Sequence, residues 1–305
     1  MKIISGSSSK TLGKKLAGKL STSPTPLEIY IFPDGEKRVR IIDKVLDQKC
    51  VVLQSCCTPV DQNYMELFFI VDALRRSGAK SITAVIPYLG YQRQDHLFRT
   101  GEAVSLEVII KTLEAMGMDK LICFDLHSIK IPELFHMPII HLSALSLFAK
   151  TIKKNKWNNS QSLLISPDMG GLRRIKLLSQ MLNDMFFGAI VKSRNLETGQ
   201  VTADKIEGLE NISLKQIKRA FIVDDMISSG GTIITATKLL RKLGIKEVYV
   251  FVTHSVFSKS APKILQKSAV KKFFVTDTVY CPREKRFPKL QILTVADIIA
   301  EEIKK

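Results

Sequence analysis

FIVDDMISSGGT, Phe221 to Thr232, sets a short apolar run, two acids and a loop of glycines and hydroxyls directly in front of a helical pattern. Phe221 to Val223 predict a buried strand, with Asp224 and Asp225 at its carboxyl end and Ser228 to Thr232 turning into a helix over Ile233 to Lys242. A strand handed to a helix through a glycine turn is the repeating step of a parallel α/β fold, in which ligands bind at the carboxyl ends of the strands. Gly230 and Gly231 let backbone N–H groups converge on an anion, Ser228, Ser229 and Thr232 add hydroxyl donors, and the helix N-terminus supplies partial positive charge. Asp224 and Asp225 suit the hydroxyls of a sugar or of a magnesium-bound sugar. The stretch therefore describes a site for a phosphorylated sugar. The plainer alternative, a capped strand-to-helix turn, does not explain paired aspartates ahead of GGT.

The same step recurs along the chain. LEAMGMDKLICFDLH (Leu113 to His127) and LRKLGIKEVYVFVTH (Leu240 to His254) both read as helix end, glycine, short turn, β-rich strand and a terminal histidine, and LRRSGAKSITAVIPY (Leu74 to Tyr88) repeats the layout without the histidine. Gly78, Gly117 and Gly244 fall where helix C-caps are needed. Helix and buried strand in alternation predict an α/β protein of two similar domains, each with a central, mostly parallel sheet flanked by helices. The domains are placed at residues 1–145 and 146–305, with the polar stretch Lys150 to Gln161 in or just after the junction. The amphipathic ending, Leu293 to Lys305, predicts a helix that packs back on the first domain or stays with the second.

At 305 residues and 45% apolar content the chain is long enough for two cores. MKIISGSSSKTLGKK has no apolar segment behind its first lysines, and no apolar run approaches the ~18 residues that span a bilayer, so the expectation is a cytoplasmic protein with no membrane partner. Cys50, Cys56, Cys57, Cys123 and Cys281 are odd in number and lack metal-binding spacing, which predicts reduced, buried thiols and neither zinc nor a disulfide framework. A net charge of +17 fits either nucleic acid or small polyanions. The cations are spread out, densest at KTIKKNK (Lys150 to Lys156), and aromatics do not interleave with them, which favours small polyanions over nucleic acid.

Other chemical stretches also sit at predicted strand ends. FPDGE follows the β-like run Leu27 to Ile31 and offers the ring of Phe32 with Asp34 and Glu36; alone it reads equally as a Pro-Asp-Gly turn. After the strand Ser81 to Ile86 comes PYLGYQRQDHLFRTGEAVS, where Arg93, Gln94 and Asp95 cluster and Arg93 and Arg99 suit phosphates. His127 closes ICFDLH as a candidate metal ligand or phosphate contact, against the plainer reading of a structural histidine. SPDMGG (Ser166 to Gly171) follows the strand Ser162 to Ile165 and forms a second anion nest with the carboxylate of Asp168. GAIVKSR (Gly188 to Arg194) ends a strand with Lys192 and Arg194 on one face, two cations able to neutralise a phosphoryl transition state.

FIVDDMISSGGT resembles the phosphoribosyl pyrophosphate loop shared by type I phosphoribosyltransferases and ribose-phosphate pyrophosphokinases, and by itself does not choose between them. FPDGE, MELFFIVDALRRSGAKSITAVIPYLGYQRQD, ICFDLH, SPDMGG and VDDMISSGGT, in this order over essentially the full length, resemble the ribose-phosphate pyrophosphokinases, with KSRNLETGQV and HLFRTGEAVS closer to the shorter archaeal-like branch. The resemblance implies transfer of the β,γ-diphosphoryl group of Mg-ATP to the anomeric hydroxyl of ribose 5-phosphate, giving phosphoribosyl pyrophosphate and AMP. It implies that Phe32 stacks near adenine with Asp34 and Glu36 reading its edge, and that Arg93 and Gln94 hold the nucleotide, with Asp95 in the same motif. His127 and Asp168 would be magnesium-associated. Asp224 and Asp225 would bind ribose hydroxyls, Ser228, Ser229, Gly230, Gly231 and Thr232 the 5-phosphate, and Lys192 and Arg194 the charge at the transferring phosphorus. Magnesium is the implied cofactor, ATP and ribose 5-phosphate are the partners, and a homo-oligomer built from dimers, up to a hexamer, is the expected assembly. Three positions depart from the family pattern: Ser228 stands where an acid is usual, Ser229 where a threonine is usual, and the catalytic segment reads KSR in place of KRR.

Overall fold

The computed structural model describes residues 1–305 apart from 195–200, 210–212 and 259, with 192–194 and 201–204 described in backbone only. Two compact units make up the chain. Unit 1 comprises Met1–Ser143, Thr278–Tyr280 and Thr294–Lys305, and unit 2 comprises Ala144–Asp277 and Cys281–Leu293.

Unit 1 contains β1 (Lys2–Ser5), α1 (Lys10–Lys19), β2 (Pro24–Thr25), β3 (Leu27–Ile31), β4 (Lys37–Ile41), β5 (Lys49–Leu53), α2 (Val60–Arg76), β6 (Ser81–Ile86), α3 (Ser105–Ala115), β7 (Lys120–Phe124) and β8 (Ile139–Leu142). Six strands form a parallel sheet in the order β2-β1-β5-β6-β7-β8, while β3 and β4 form a separate antiparallel hairpin. Strands covered on both faces read as continuous apolar runs, which is why ITAVI and LICF show no polar alternation. Val52, Ile82, Ala84, Ile86 and Leu121 share one core with Leu67, Ile70 and Leu74 of α2 and Leu106, Ile110 and Leu113 of α3. Leu27, Val39 and Ile41 pack on the same core, so the hairpin is tied to α2 by its apolar side.

Unit 2 contains α4 (Leu145–Lys154), β9 (Ser162–Ser166), α5 (Leu172–Met181), β10 (Phe187–Arg194), β11 (Val201–Glu207), β12 (Arg219–Ile227), α6 (Gly231–Lys242), β13 (Glu247–Ser255), α7 (Ala261–Lys267), β14 (Lys272–Thr276) and β15 (Leu290–Leu293). Its sheet runs β11-β10-β9-β12-β13-β14-β15, parallel throughout except where β11 pairs antiparallel with β10. The period of two splits β12 between two cores. Ala220 and Ile222 join Ile233, Ala236 and Leu240 of α6, whereas Phe221 and Val223 join Phe148 of α4 and Ile175 and Leu178 of α5. Phe221 is fully buried, a burial worth about 2–3 kcal/mol.

The final helix, α8 (Ala296–Lys304), belongs to unit 1, where Lys19 Nζ of α1 lies 2.6 Å from Asp297 Oδ1. The helix after β8 is thus part of unit 2 and the helix after β15 part of unit 1.

The α/β class and the mostly parallel sheets are as the sequence predicts. Gly78, Gly117 and Gly244 follow α2, α3 and α6 with φ of +75°, +75° and +90°, the left-handed conformation a C-cap requires. Four local readings are corrected. Asp224 and Asp225 lie within β12, which continues to Ile227 with Asp224 paired to Val252, because backbone pairing with β13 does not depend on apolar side chains. Leu293 is the last residue of β15, and the helix begins at Ala296. His127 lies three residues beyond the end of β7. His254, its counterpart in the repeated pattern, is fully buried inside β13 while His127 is exposed, so the repeat is one of fold and not of chemistry.

Candidate active site

In unit 2 the chain winds outward from β9 in both directions, to β10 on one side and to β12 on the other. The carboxyl ends of β9 and β12 therefore flank the point where strand order reverses, where crevices form in open α/β sheets. Asp168 follows β9, and Asp224 and Asp225 occupy the last part of β12. Arg174 of α5 was not singled out from the sequence, yet its Nη1 lies 3.6 Å from Asp224 Oδ1 and 3.6 Å from Asp225 Oδ1. These distances exceed a direct hydrogen bond, so the guanidinium acts chiefly as a shared countercharge. The one available signal was a cation a single turn into the helix that follows SPDMGG.

The side chains of Asp224 and Asp225 are 16% and 7% exposed. Burial pushes the Asp224 carboxyl well above the ordinary carboxylate range, and the neighbouring Asp225 charge and hydrogen bond push it further; Arg174 opposes the rise and Asp168 adds to it. Asp225 N–H donates to Asp224 Oδ1 at 2.9 Å, which fixes that side chain against its neighbour. Such a carboxyl, held against its preference for water, gains when a ligand hydroxyl or a cation arrives.

Beyond the acids, Gly230 caps α6 with φ +86°, and a Cβ there would meet Leu265 Cδ2 at 2.7 Å. Both the conformation and the close packing exclude a side chain. The next residues, Gly231 and Thr232, are exposed together with Ser229, and Ser228 is half-buried. The first backbone N–H groups of α6 have no acceptor within the helix, so hydroxyls and amides gather where the helix dipole is positive.

Asp168 serves locally as the cap of the turn Met169–Gly171, accepting from Gly171 N–H at 3.3 Å through Oδ1. Among the described residues no group of three or more His, Cys, Asp or Glu side chains is arranged to hold a metal ion. Magnesium is commonly held by one or two carboxylates plus substrate phosphates, and the hard oxygens of Asp168, Asp224 and Asp225 fit that donor chemistry. Lys192 and Arg194 lie in β10, in backbone register with Ala203 and Val201, and their side chains are outside the described residues.

In unit 1 the corresponding chemistry stands at the carboxyl ends of the adjacent strands β6 and β7. Arg93 and Gln94 are exposed in the loop after β6, and Asp95 Oδ1 is 2.7 Å from His96 Nδ1. Gln92, a residue the sequence reading passed over, joins the two strand ends: its side-chain Oε1 accepts from His127 N–H at 2.9 Å. Gln92 is 1% exposed and its Nε2 has no partner among the described residues, an orphaned donor beside the candidate ligand loop.

Phe32, Asp34 and Glu36 occupy the tip of the β3–β4 hairpin. Phe32 N–H donates to Glu36 O at 2.8 Å, and Glu36 N–H to Asp34 Oδ1 at 3.1 Å, so Asp34 shapes the turn. The Phe32 ring is 36% exposed, meets Tyr30 edge-on at 4.9 Å and has the Arg38 guanidinium 5.9 Å from its centroid. Directly below the turn the hairpin is anchored by Lys37, whose Nζ lies 3.1 Å from Oε2 of the buried Glu66. Glu66 also accepts from Ser7 N–H at 2.6 Å, Ser7 Oγ at 2.9 Å and Gln54 Nε2 at 3.1 Å, so its burial is fully compensated.

Parallel sheets with acids and a hydroxyl-rich loop opening a helix at a switch point form the kind of crevice in which α/β enzymes bind small anionic ligands. A family model described as the N-terminal domain of ribose phosphate pyrophosphokinase matches residues 1–117, and one described as the phosphoribosyl synthetase-associated domain matches residues 207–305. A ribose-phosphate pyrophosphokinase of Fusobacterium nucleatum is 35% identical, covering 99% of this chain and 94% of that protein. One from Gloeobacter violaceus is 34% identical over 99% of this chain and 89% of that protein. The crystal structure of phosphoribosylpyrophosphate synthetase from Mycobacterium smegmatis superposes with a TM-score of 0.89 at 31% identity, covering 99% of this chain and 97% of that one. The chain belongs to the ribose-phosphate pyrophosphokinase family, and it is an enzyme of phosphoribosyl pyrophosphate formation.

Proposed function

We propose that this chain transfers the β,γ-diphosphoryl group of Mg-ATP to the anomeric hydroxyl of ribose 5-phosphate, releasing AMP and 5-phosphoribosyl 1-pyrophosphate. The observation that carries the reading is the Asp224–Asp225 pair with its Arg174 countercharge, set on β12 directly before the exposed hydroxyls and amides that open α6. On this reading Asp224 and Asp225 hold ribose hydroxyls, and Ser228, Ser229, Gly230, Gly231 and Thr232 hold the 5-phosphate. Ser228 keeps a hydroxyl donor where the family usually has an acid. In unit 1, Phe32, Asp34 and Glu36 receive the base, and Arg93, Gln94 and Asp95 the rest of the nucleotide. Asp168 and His127 are the magnesium-associated residues; magnesium, when bound, neutralises phosphate charge. Lys192 and Arg194 stabilise the charge spread over the transferring phosphorus, so the reaction proceeds by positioning and electrostatics without a covalent enzyme intermediate.

The assembly on this reading is a homo-oligomer built from dimers. The compartment is the cytoplasm, and five buried thiols suit its reducing conditions. Among the described residues no helix is long and apolar enough to cross a membrane.

The phosphate loop is tested by thermal unfolding without nucleotide. Ribose 5-phosphate at about 100 times its Kd adds roughly 2.7 kcal/mol and raises Tm by several degrees. Ribose at the same concentration leaves Tm nearly unchanged. Equal shifts with both sugars would show that the loop at α6 does not bind the phosphate.

A further inference from the structure

One cavity in unit 2 lies away from the acids. It has a volume of about 630 Å³ and is lined by Trp157, Tyr249 and Phe274, by Lys150, Lys154, Lys271 and Lys272, and by further residues of α4 and β15. Its position follows from strand register. Tyr249 pairs with Phe221 and with Lys272, near the amino ends of β13, β12 and β14. Asp224 lies three residues further along β12, about 10 Å toward the carboxyl end. The cavity therefore opens toward the amino ends of strands whose carboxyl ends carry the sugar-phosphate site.

Its lining combines two kinds of surface. Trp157 and Tyr249 pack on each other at 4.4 Å with their planes 34° apart, and Phe274 meets Trp157 edge-on at 6.1 Å, so the aromatic floor is a cluster of three packed rings. Above it stand four lysines, none in an ion pair among the described residues, and no carboxylate lines the cavity. A cavity bordered by four lysines and no carboxylate has a positive potential, which favours an anion. Lys150 and Lys154 come from KTIKKNK, the densest basic run of the chain. The volume falls in the range of small-molecule sites, about 300–1,000 Å³.

We propose that this cavity binds a planar aromatic anion, of which a nucleoside 5′-phosphate is the representative: the ring lies on Trp157 and Tyr249, and the phosphate is held by the lysines. Charge complementarity and the aromatic floor select this occupant. An apolar ligand leaves the lysines unneutralised, and a bare anion leaves the floor uncovered.

Trp157 is the only tryptophan of the chain, so its emission reports on this cavity. With excitation on the red edge of indole absorption, titration of the intact protein with guanosine 5′-monophosphate, without magnesium, should quench Trp157 saturably. Guanosine alone and inorganic phosphate alone should each bind at least about tenfold more weakly. Lys154→Glu combined with Lys271→Glu, two exposed positions outside the sugar-phosphate and nucleotide residues, should weaken the nucleotide at least about tenfold with Tm and turnover kept. Unchanged quenching in that variant, absence of saturation, or equal affinity for phosphate alone would overturn the proposal. So would a blue shift of Trp157 emission that grows with protein concentration in the absence of ligand, which would show a second copy covering the cavity.

Discussion

Asp224→Asn is expected to give a protein that unfolds at a higher temperature and turns over on the order of 100-fold more slowly. The two effects share one cause. Asp224 is largely removed from water beside Asp225, and its carboxyl is held well above the ordinary range near about 4. A folded pKa raised above the unfolded one means that this group's contribution to stability is complete below the unfolded pKa and is lost as pH rises through the folded pKa. Above its folded pKa the ionised Asp224 therefore weighs against the fold. Asparagine removes the charge in the same shape, which should raise stability by about 1 kcal/mol, or a few degrees in Tm. The same change removes the strongest acceptor for a sugar hydroxyl or a cation. For the unmodified protein, ribose 5-phosphate affinity should fall as pH drops through the raised Asp224 pKa, earlier than for an ordinary carboxylate. Differential scanning calorimetry paired with steady-state rates checks both arms; a variant less stable than the parent and equally active would contradict the role given to this acid. Arg174 supplies a control: because it offsets the acids, the gain from Asp224→Asn should be larger in an Arg174→Met background.

Lys192→Ala should lower kcat on the order of 10³-fold while the Kd for ribose 5-phosphate stays within about twofold. What matters is where charge appears. Phosphoryl transfer spreads negative charge over the oxygens of the moving group, and a cation aimed there acts on the transition state more than on either bound substrate. Lys192 lies on β10, next to β9, whose carboxyl end carries Asp168. Removing its charge should leave the loop before α6 untouched. Rapid-quench rates together with calorimetric binding separate the outcomes: a near-normal rate would show Lys192 to be misassigned, and equal losses in rate and binding would place it on the ground-state sugar.

The architecture was legible because its causes are local. Apolar runs such as ITAVI and LICF can only be doubly covered strands, and glycines at Gly78, Gly117 and Gly244 mark the helix ends. Residues at strand ends were legible for the same reason, since a loop after a parallel strand is where polar groups can be spared from the core. Contacts that depend on three dimensions were not. Arg174 reads as one more lysine-like surface cation until α5 folds back over β12, and Gln92 as a loop residue until its side chain meets His127 N–H. Glu66 sits in an apolar helix stretch, and only the fold brings Ser7, Lys37 and Gln54 around it. Where sequence spacing placed Asp224 and Asp225 past the strand, pairing with β13 carried the strand through them. The basic run at Lys150 was readable as charge but not as the rim of a cavity, because Trp157, Tyr249 and Phe274 come from separate elements.

Transfer of a diphosphoryl group from ATP to ribose 5-phosphate leaves AMP as the nucleotide product, where transfer of a single phosphoryl group leaves ADP. Protein incubated with Mg-ATP and ribose 5-phosphate, with nucleotides resolved by ion-exchange chromatography, should release AMP in step with the ribose 5-phosphate consumed. ADP as the product, or no turnover, would show that the protein does not catalyse diphosphoryl transfer.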